Sequence, residues 1–185
     1  MAVNLGNTEA SLYLGSTPVA AYLGAVQVYS AVQAVTLYFN GAEEDFDWAT
    51  VGNWWLDDEH TEPAGRLPTS ADSVVISQEL GLNSGDPITV LNLTVDAALF
   101  EGISATVTGL ALFVNGATNA VTITGNATFN ESSYNAGTIT GNATFNDSSL
   151  NNGNVTGTAT FNDSACNFEG TAGTFVPAPP PNCGF

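Results

Sequence analysis

Residues 122–137 read TITGNATFNESSYNAG, residues 138–153 read TITGNATFNDSSLNNG, and residues 154–170 read NVTGTATFNDSACNFEG. The first two copies have the same length, and the third has one residue inserted near its end. A fourth, weaker copy, TVTGLALF, begins at Thr106. One period earlier, four apolar residues keep the same alternation: Leu91, Leu93, Val95 and Ala97. Internal repetition of this kind indicates an array of stacked structural units, of which about five are legible.

Apolar residues occupy alternate positions within each copy, and threonine or asparagine occupies the positions between them. A period of two indicates a β-strand with one buried face. Strands that recur once in every copy form either a hairpin meander or the rungs of a solenoid, and near-identical repetition favours the solenoid because stacked rungs align equivalent residues. The sequence therefore predicts an all-β fold, a β-solenoid (parallel β-helix) of 16-residue rungs wound from a single chain. The predicted core residues are Ile123, Phe129, Ile139, Phe145, Val155 and Phe161.

The second half of each copy holds further columns of equivalent residues. Tyr134, Leu150 and Cys166 are predicted to point inward from a short return side of the coil. Asparagine side chains are predicted to hydrogen-bond along two columns, namely Asn130, Asn146, Asn162 and Asn135, Asn151, Asn167. We expect Cys166 to be a small core residue, although Cys183 could meet it if the tail folds back over the last rung.

Charge excludes several classes of partner. The 185 residues include 18 acidic residues, one arginine (Arg66), no lysine and one histidine (His60), for a formal net charge of −17. Such a chain can neither neutralise phosphates nor anchor to an anionic membrane, so we expect no nucleic acid and no membrane as partners. Hydrophobic residues make up 44% of the chain, which suffices for a core. The turns lack the calcium-binding nonapeptide of other β-helices, and we expect no metal and no cofactor.

Residues 41–76 differ in composition from the repeats. Eight carboxylates lie between Glu43 and Glu62, together with three tryptophans. The string DFDWATVGNWW (45–55), followed by LPTSADSVVI (67–76), resembles the opening of many repeat-rich β-helix surface proteins. This resemblance implies that Val74 to Ile76 belong to the first solenoid strand and that the tryptophans cover its open end. A solenoid needs such a cap because its terminal rung otherwise exposes apolar side chains and unpaired strand edges.

A functional alternative for the same region stays open. The tryptophans could form a platform for stacking sugars, in which case the candidate glycan contacts are Trp48, Trp54 and Trp55. A carboxylate pair of the glycosidase kind would then come from Asp45, Asp47, Asp57, Asp58 or Glu59. Clustered acids on a loop are more often simply solvated, so we favour capping over glycan binding, and glycan binding over catalysis. His60 is expected to stay protonated among these acids and to form surface salt bridges.

The N-terminal residues contain a second repeat, with a period of nine, in which Leu-Gly recurs at residues 5, 14 and 23. So short a segment cannot form its own core and is expected to dock on something else. The string SLYLGSTPVAAYLGAVQVYSA (11–31) resembles the N-terminal peptides of bacteriophage minor tail proteins and virion fibre or decoration proteins. The resemblance implies docking on capsid or tail proteins, a homo-oligomer that is a trimer, and synthesis in the host cytoplasm before release on the virion surface. In a particle assembled in the cytoplasm, Cys166 and Cys183 are expected to be reduced thiols. The predicted docking residues are Leu5, Tyr13, Leu14, Val19, Tyr22, Leu23 and Val28.

The sequence thus predicts four segments: a docking segment (1–32), a strand with the acidic, tryptophan-rich capping region (33–73), the solenoid (74–176) and a proline-rich tail (177–185). We expect a non-enzymatic structural protein of a bacteriophage particle, a short surface fibre or decoration protein. The alternative is a carbohydrate-binding adhesin, or receptor-binding tip, that contacts a host-surface glycan through the tryptophan loop. A small polysaccharide-degrading enzyme is a third, less favoured hypothesis.

Overall fold

The structure is a computed structural model that describes residues 33–41, 47–78, 87–102 and 104–183, and describes the backbone alone for residues 80–81 and for four short strands before residue 30. The chain divides into two compact units, residues 1–34 and 35–185. In the first unit, β1 (Tyr13–Leu14) pairs antiparallel with β2 (Thr17–Pro18), and β3 (Ala21–Leu23) pairs antiparallel with β4 (Val26–Tyr29).

The second unit is all-β and forms a parallel β-solenoid of about six turns. Its larger sheet contains, within the described residues, β5 (Thr36–Phe39), β6 (Trp54–Trp55), β7 (Ser73–Ile76), β9 (Ile88–Val90), β10 (Asn92–Asp96), β12 (Ala105–Val114), β14 (Thr122–Phe129), β16 (Thr138–Ile139), β17 (Ala143–Phe145), β19 (Asn154–Phe161) and β21 (Thr171–Val176). The smaller sheet contains β8 (Leu80–Gly81), β11 (Leu99–Glu101), β13 (Thr118–Asn119), β15 (Tyr134–Asn135), β18 (Leu150–Asn151) and β20 (Cys166–Asn167). A 3₁₀ turn, Val51–Asn53, precedes β6. None of the helices in the described part of the chain has the length and apolarity to cross a membrane.

Each rung of the repeat region turns around three sides. In one rung, β14 runs along one side, bends at Gly125 and continues along a second side, and β15 forms the third. Gly125 has φ +139°, and a Cβ there would lie 2.2 Å from the Val107 carbonyl oxygen, so the bend requires glycine. Phe129 pairs with Phe145, and Phe145 with Phe161, in parallel register. The predicted parallel solenoid of roughly 16-residue rungs is confirmed.

Aligned side chains fill the interior. Phe113, Phe129, Phe145 and Phe161 stack with neighbouring ring centroids 4.7, 4.9 and 5.0 Å apart and rings within 12° of parallel. Ile123, Ile139 and Val155 form a second buried ladder in register. All six residues predicted for the core are buried.

The third side contradicts one prediction. Asn119, Asn135 and Asn151 point inward and are fully buried, whereas Tyr134 and Leu150 on the same strands are only partly buried. The prediction that Tyr134, Leu150 and Cys166 point inward is therefore wrong. The reason lies in the preceding turn, where Ser133, Ser149 and Ala165 are themselves buried, so the following residue of each strand faces outward.

Both predicted asparagine columns are confirmed. Each amide of the inner column donates to the next side-chain oxygen at 2.8–2.9 Å, from Asn119 to Asn135, Asn151 and Asn167. In the outer column the amides donate in the opposite direction, from Asn146 to Asn130 at 2.8 Å and from Asn162 to Asn146 at 2.7 Å. A stacked asparagine satisfies its neighbour because its side chain carries both a donor and an acceptor.

The early rungs are longer than the repeat predicts. Leu93 pairs with Ala111, which lies two positions further along the chain than the period of the later copies would place its partner. Leu91 is 40% exposed and Ala97 is exposed, whereas Leu93 and Val95 are buried, so only two of the four alternating residues face the core. The decayed sequence repeat preserves the alternation but not the rung length.

The parallel ladder also begins earlier than the sequence predicts. Strand β5 pairs in parallel with β7, with Leu37 beside Val74, so Val74 to Ile76 do not form the first strand. The tryptophan-rich region lies between these two strands in the sequence. So long an insertion hides the first strand from any search for a fixed period.

The last rung corrects the cysteine predictions. Cys166 is partly exposed and forms a disulfide with Cys183, so it is neither a buried core residue nor a free thiol. Strand β20 directs Cys166 outward, and the tail returns beside it. The backbone N–H of Asn167 donates to the carbonyl of Pro181 at 2.7 Å.

Candidate functional site

The tryptophan region packs directly on the first solenoid strand. Strand β6 pairs antiparallel with β5, placing Trp54 beside Phe39. The Trp54 ring lies 5.1 Å from the Phe39 ring and 4.4 Å from the Trp48 ring, measured between centroids, and its Nε1 donates to the Trp48 carbonyl at 3.0 Å. Trp48 is 7% exposed and Trp54 is fully buried. Neither ring therefore offers a free face to a sugar.

Trp55 differs from the other two tryptophans because it is partly exposed. Its ring makes an edge contact with His60, with centroids 5.9 Å apart, and its backbone pairs with Pro63. Both Trp55 Nε1 and His60 Nε2 are buried and have no hydrogen-bond partner. The described residues give His60 an aromatic neighbour in place of the expected salt bridge.

Two carboxylates of this region, Asp57 and Asp47, accept hydrogen bonds from their own loop. Asp57 accepts hydrogen bonds from the Thr61 hydroxyl, from the Thr61 N–H at 2.8 Å and from the Glu62 N–H at 3.1 Å. The bond from the Thr61 hydroxyl, aided by the Glu62 N–H, lowers the pKa of Asp57 below its usual value. Asp47 accepts from the Ala49 N–H at 2.8 Å.

The remaining catalytic candidates are exposed or lie outside the described residues. Asp58 and Glu59 are exposed, and Asp45 falls outside the described residues. Among the residues that the structure describes, no group of three or more His, Cys, Asp and Glu side chains is placed to hold a metal ion.

An ion pair between partly exposed Arg66 and buried Asp72 connects this region to the first strands. Asp72 is fully buried and binds the Arg66 guanidinium through two bonds, at 2.6 and 2.8 Å. It also accepts from the Val35 N–H at 3.0 Å and from both the N–H and the hydroxyl of Thr69 at 2.8 Å. Burial alone would raise the pKa of Asp72, but the bonds from Arg66, Val35 and Thr69 outweigh it and lower this pKa to about 2.

Sequence reasoning missed Asp72. The signal that could have found it is its place immediately before the alternating run of the motif DSVVI. Arg66, the one residue of the Lys/Arg class in the sequence, is thus already paired with the buried carboxylate of Asp72.

The outer surface of the repeat rungs carries uncharged columns and one acidic ridge. Thr128, Thr144 and Thr160 align on one face in parallel register. At the following corner, Glu131, Asp147 and Asp163 recur with left-handed φ of 54–56°. The Glu131 backbone N–H donates to the Asp147 carboxylate at 3.3 Å, so the acidic corners of these two adjacent rungs lie next to each other.

The predicted docking residues of the first unit have no side-chain description. Leu5 and Val19 fall outside the described residues, and the structure describes only the backbone of Tyr13, Leu14, Tyr22, Leu23 and Val28. Their docking role stays a prediction. Comparison of the chain with protein-family models, with curated proteins and with solved structures found no match.

Proposed function

We propose that this chain is a non-enzymatic structural protein of a bacteriophage particle, a short surface fibre or decoration protein that docks through its N-terminal segment on the capsid or tail. The observation that carries the proposal is the continuous filling of the coil. Phenylalanine, aliphatic and asparagine ladders occupy its three inner sides in register. Such a coil is suited to act as a spacer because each rung is held by near-identical neighbours.

Under this proposal the tryptophan region closes the N-terminal end of the coil. Antiparallel β6 covers the edge of β5, and the buried Trp54 ring covers Phe39. The Arg66–Asp72 pair fastens the end of the loop to the strands through the Val35 N–H. A strand edge covered in this way is protected from pairing with another chain.

The use of the carboxylates supports a structural role over catalysis. A general acid or nucleophile needs a carboxyl group directed at a substrate. Asp57 instead binds three groups of its own turn, and Asp72 is enclosed by Arg66 and Thr69. These hydrogen bonds give both carboxylates a structural role that requires no catalytic one.

The second candidate is glycan binding at a host surface, favoured by one observation, the partial exposure of Trp55. A partly exposed indole next to His60 could stack on one sugar ring. A glycan array comparing the unaltered chain with Trp55→Ala tests this candidate. Binding lost in the variant would favour the adhesin, and no binding by either chain would remove it.

Particle incorporation tests the main proposal. In cells infected by the phage that encodes the chain, the full-length protein and a variant lacking residues 1–30 are each supplied, and purified particles are quantified by mass spectrometry. We expect the shortened chain to remain β-rich by circular dichroism but to be absent from particles, while the control Thr144→Ala incorporates normally. Absence of the full-length protein from particles, or normal incorporation of the shortened one, would overturn the proposal. The expected assembly is a trimer, which sedimentation equilibrium would detect.

A further inference from the structure

The C-terminal tail closes back on the last rung of the solenoid. The chain leaves β21 at Val176, passes through residues 177–181 and returns beside β20, where Asn182 forms a parallel bridge with Asn167. Cys183 then bonds to Cys166, at a sequence separation of 17. These are the two cysteines of the chain. The tail therefore lies along the edge of the smaller sheet at its final described strand.

We propose that the Cys166–Cys183 disulfide is a reversible redox latch, which holds the proline-rich tail on the edge of β20 in oxidising surroundings and releases it in reducing ones. The proposal does not depend on the particle to which the protein belongs. It concerns only how the C-terminal end of the coil is closed.

The composition of the tail explains why hydrogen bonds alone hold it weakly. Four of the five residues from 177 to 181 are proline, and proline has no backbone N–H to donate. Contact with β20 is made through the Pro181 carbonyl, which accepts from the Asn167 N–H at 2.7 Å, and through the bridge to Asn182. Interior rungs, by contrast, share ladders with both neighbours. The disulfide supplies an attachment that the prolines cannot.

Release of the tail should disturb only the C-terminal end of the coil. Phe175 and Ala172 on β21 are only partly buried, whereas their partners Ala159 and Val155 on the preceding strand are fully buried. In a stacked array each rung depends chiefly on its neighbours. Opening of the tail should therefore leave the rungs from β14 to β18 intact.

The chemistry is ordinary thiol–disulfide exchange, and both half-cystines are partly exposed to solvent. In reducing surroundings, two glutathione thiols transfer two electrons and two protons to the sulfur–sulfur bond. The bond breaks, Cys166 and Cys183 become thiols, and the two glutathione molecules join as one disulfide. Oxidised glutathione runs the same exchange in reverse. Release leaves the Asn167 N–H and the edge of β20 unpaired, and closure covers them again.

Hydrogen exchange followed by mass spectrometry on the full chain tests the latch, with and without a phosphine reductant, and thiol alkylation reports the redox state. We expect exchange over residues 166–183 to become about tenfold faster, or more, on reduction, with no change over residues 122–151. Cys183→Ser should show the fast pattern under both conditions. The control Ser164→Ala, an exposed residue of the same rung, should behave as the unaltered chain.

Three results would overturn the proposal. The first is unchanged exchange over residues 166–183 in a fully alkylated, reduced chain, since hydrogen bonds alone would then hold the tail. The second is faster exchange throughout residues 122–151, which would make the bond a general staple of the coil. The third is failure of oxidised glutathione to restore slow exchange, because a latch must close again.

Discussion

Phe145→Ala probes the stacked phenylalanine ladder at its centre. The Phe145 side chain is fully buried, and its ring centroid lies 4.9 Å from that of Phe129 and 5.0 Å from that of Phe161. Truncating a buried phenylalanine costs about 3–5 kcal/mol of unfolding free energy. Two ring contacts, each worth about 0.5–1.5 kcal/mol beyond area burial, are lost as well. The strands on both sides hold the rung spacing and limit collapse of the cavity, so we expect a loss near the upper end, about 4–5 kcal/mol.

The assay is equilibrium unfolding in urea, with the dependence on denaturant checked for a single transition. Thr144→Ala is the matched control because Thr144 is the adjacent residue on the same strand and faces outward, partly exposed. We expect this control to lose less than about 1 kcal/mol. Equal losses in the two variants would refute the assignment of inward and outward faces. A loss below about 2 kcal/mol at Phe145 would refute close packing of the ladder.

Three further perturbations test other parts of the structure. The pKa of Asp72 is lowered from 3.8 to about 2, so the ionised carboxylate should stabilise the fold by about 2.5 kcal/mol above pH 3.8, and this contribution should disappear as pH falls through about 2. Unfolding free energy measured across this pH range should lack this pH-dependent contribution in Asp72→Asn, and an identical acid profile in the variant would contradict the assignment. Asn135→Ala removes hydrogen bonds to both neighbours in the buried amide ladder and should lower the unfolding free energy in urea by about 1–3 kcal/mol. The exposed control Ser148→Ala should be nearly neutral, and an equally neutral Asn135→Ala would mean that the ladder contributes nothing to stability. Asp147→Asn relieves like charges on the acidic ridge and suits a left-handed φ, so it should raise the melting temperature at low salt, with the gain vanishing in high monovalent salt. The melting temperature of the unaltered chain could instead be insensitive to monovalent salt and rise to a plateau at micromolar calcium. That result would argue against screening and indicate calcium ligands among Asp45, Asp47, Asp57 and Asp58.

Near-identical repetition made most of the coil predictable. Ile123 and Phe129 recur in equivalent form in each of the next two copies, and only parallel stacking places such residues on top of one another. The same logic yielded the asparagine columns, because an amide both donates and accepts along a stack. Where the repeat decays, as at Leu91, alternation alone could not give the rung length, and the register was misjudged by two positions.

Errors on the third side came from ranking residues by hydrophobicity. Tyr134 and Leu150 are more apolar than Asn135 and Asn151, yet the asparagines are the buried ones. Burying an amide costs little when each partner satisfies the next. The hydrogen-bond partner of each asparagine lies in a neighbouring rung, so it cannot be identified from one copy of the repeat alone.

Sequence by itself determined the β-class of the fold, the rung period of the near-identical copies and the two apolar ladders, because these depend on local alternation and on repetition along the chain. Tertiary structure alone decided the remaining features: the first strand β5, the burial of Trp54, the Arg66–Asp72 pair and the Cys166–Cys183 bond. Each of these four features involves residues that lie outside the 16-residue repeat or only in its last copy. Their pairing is set by how the insertion and the tail return to the coil in space, and no periodicity in the chain encodes that path.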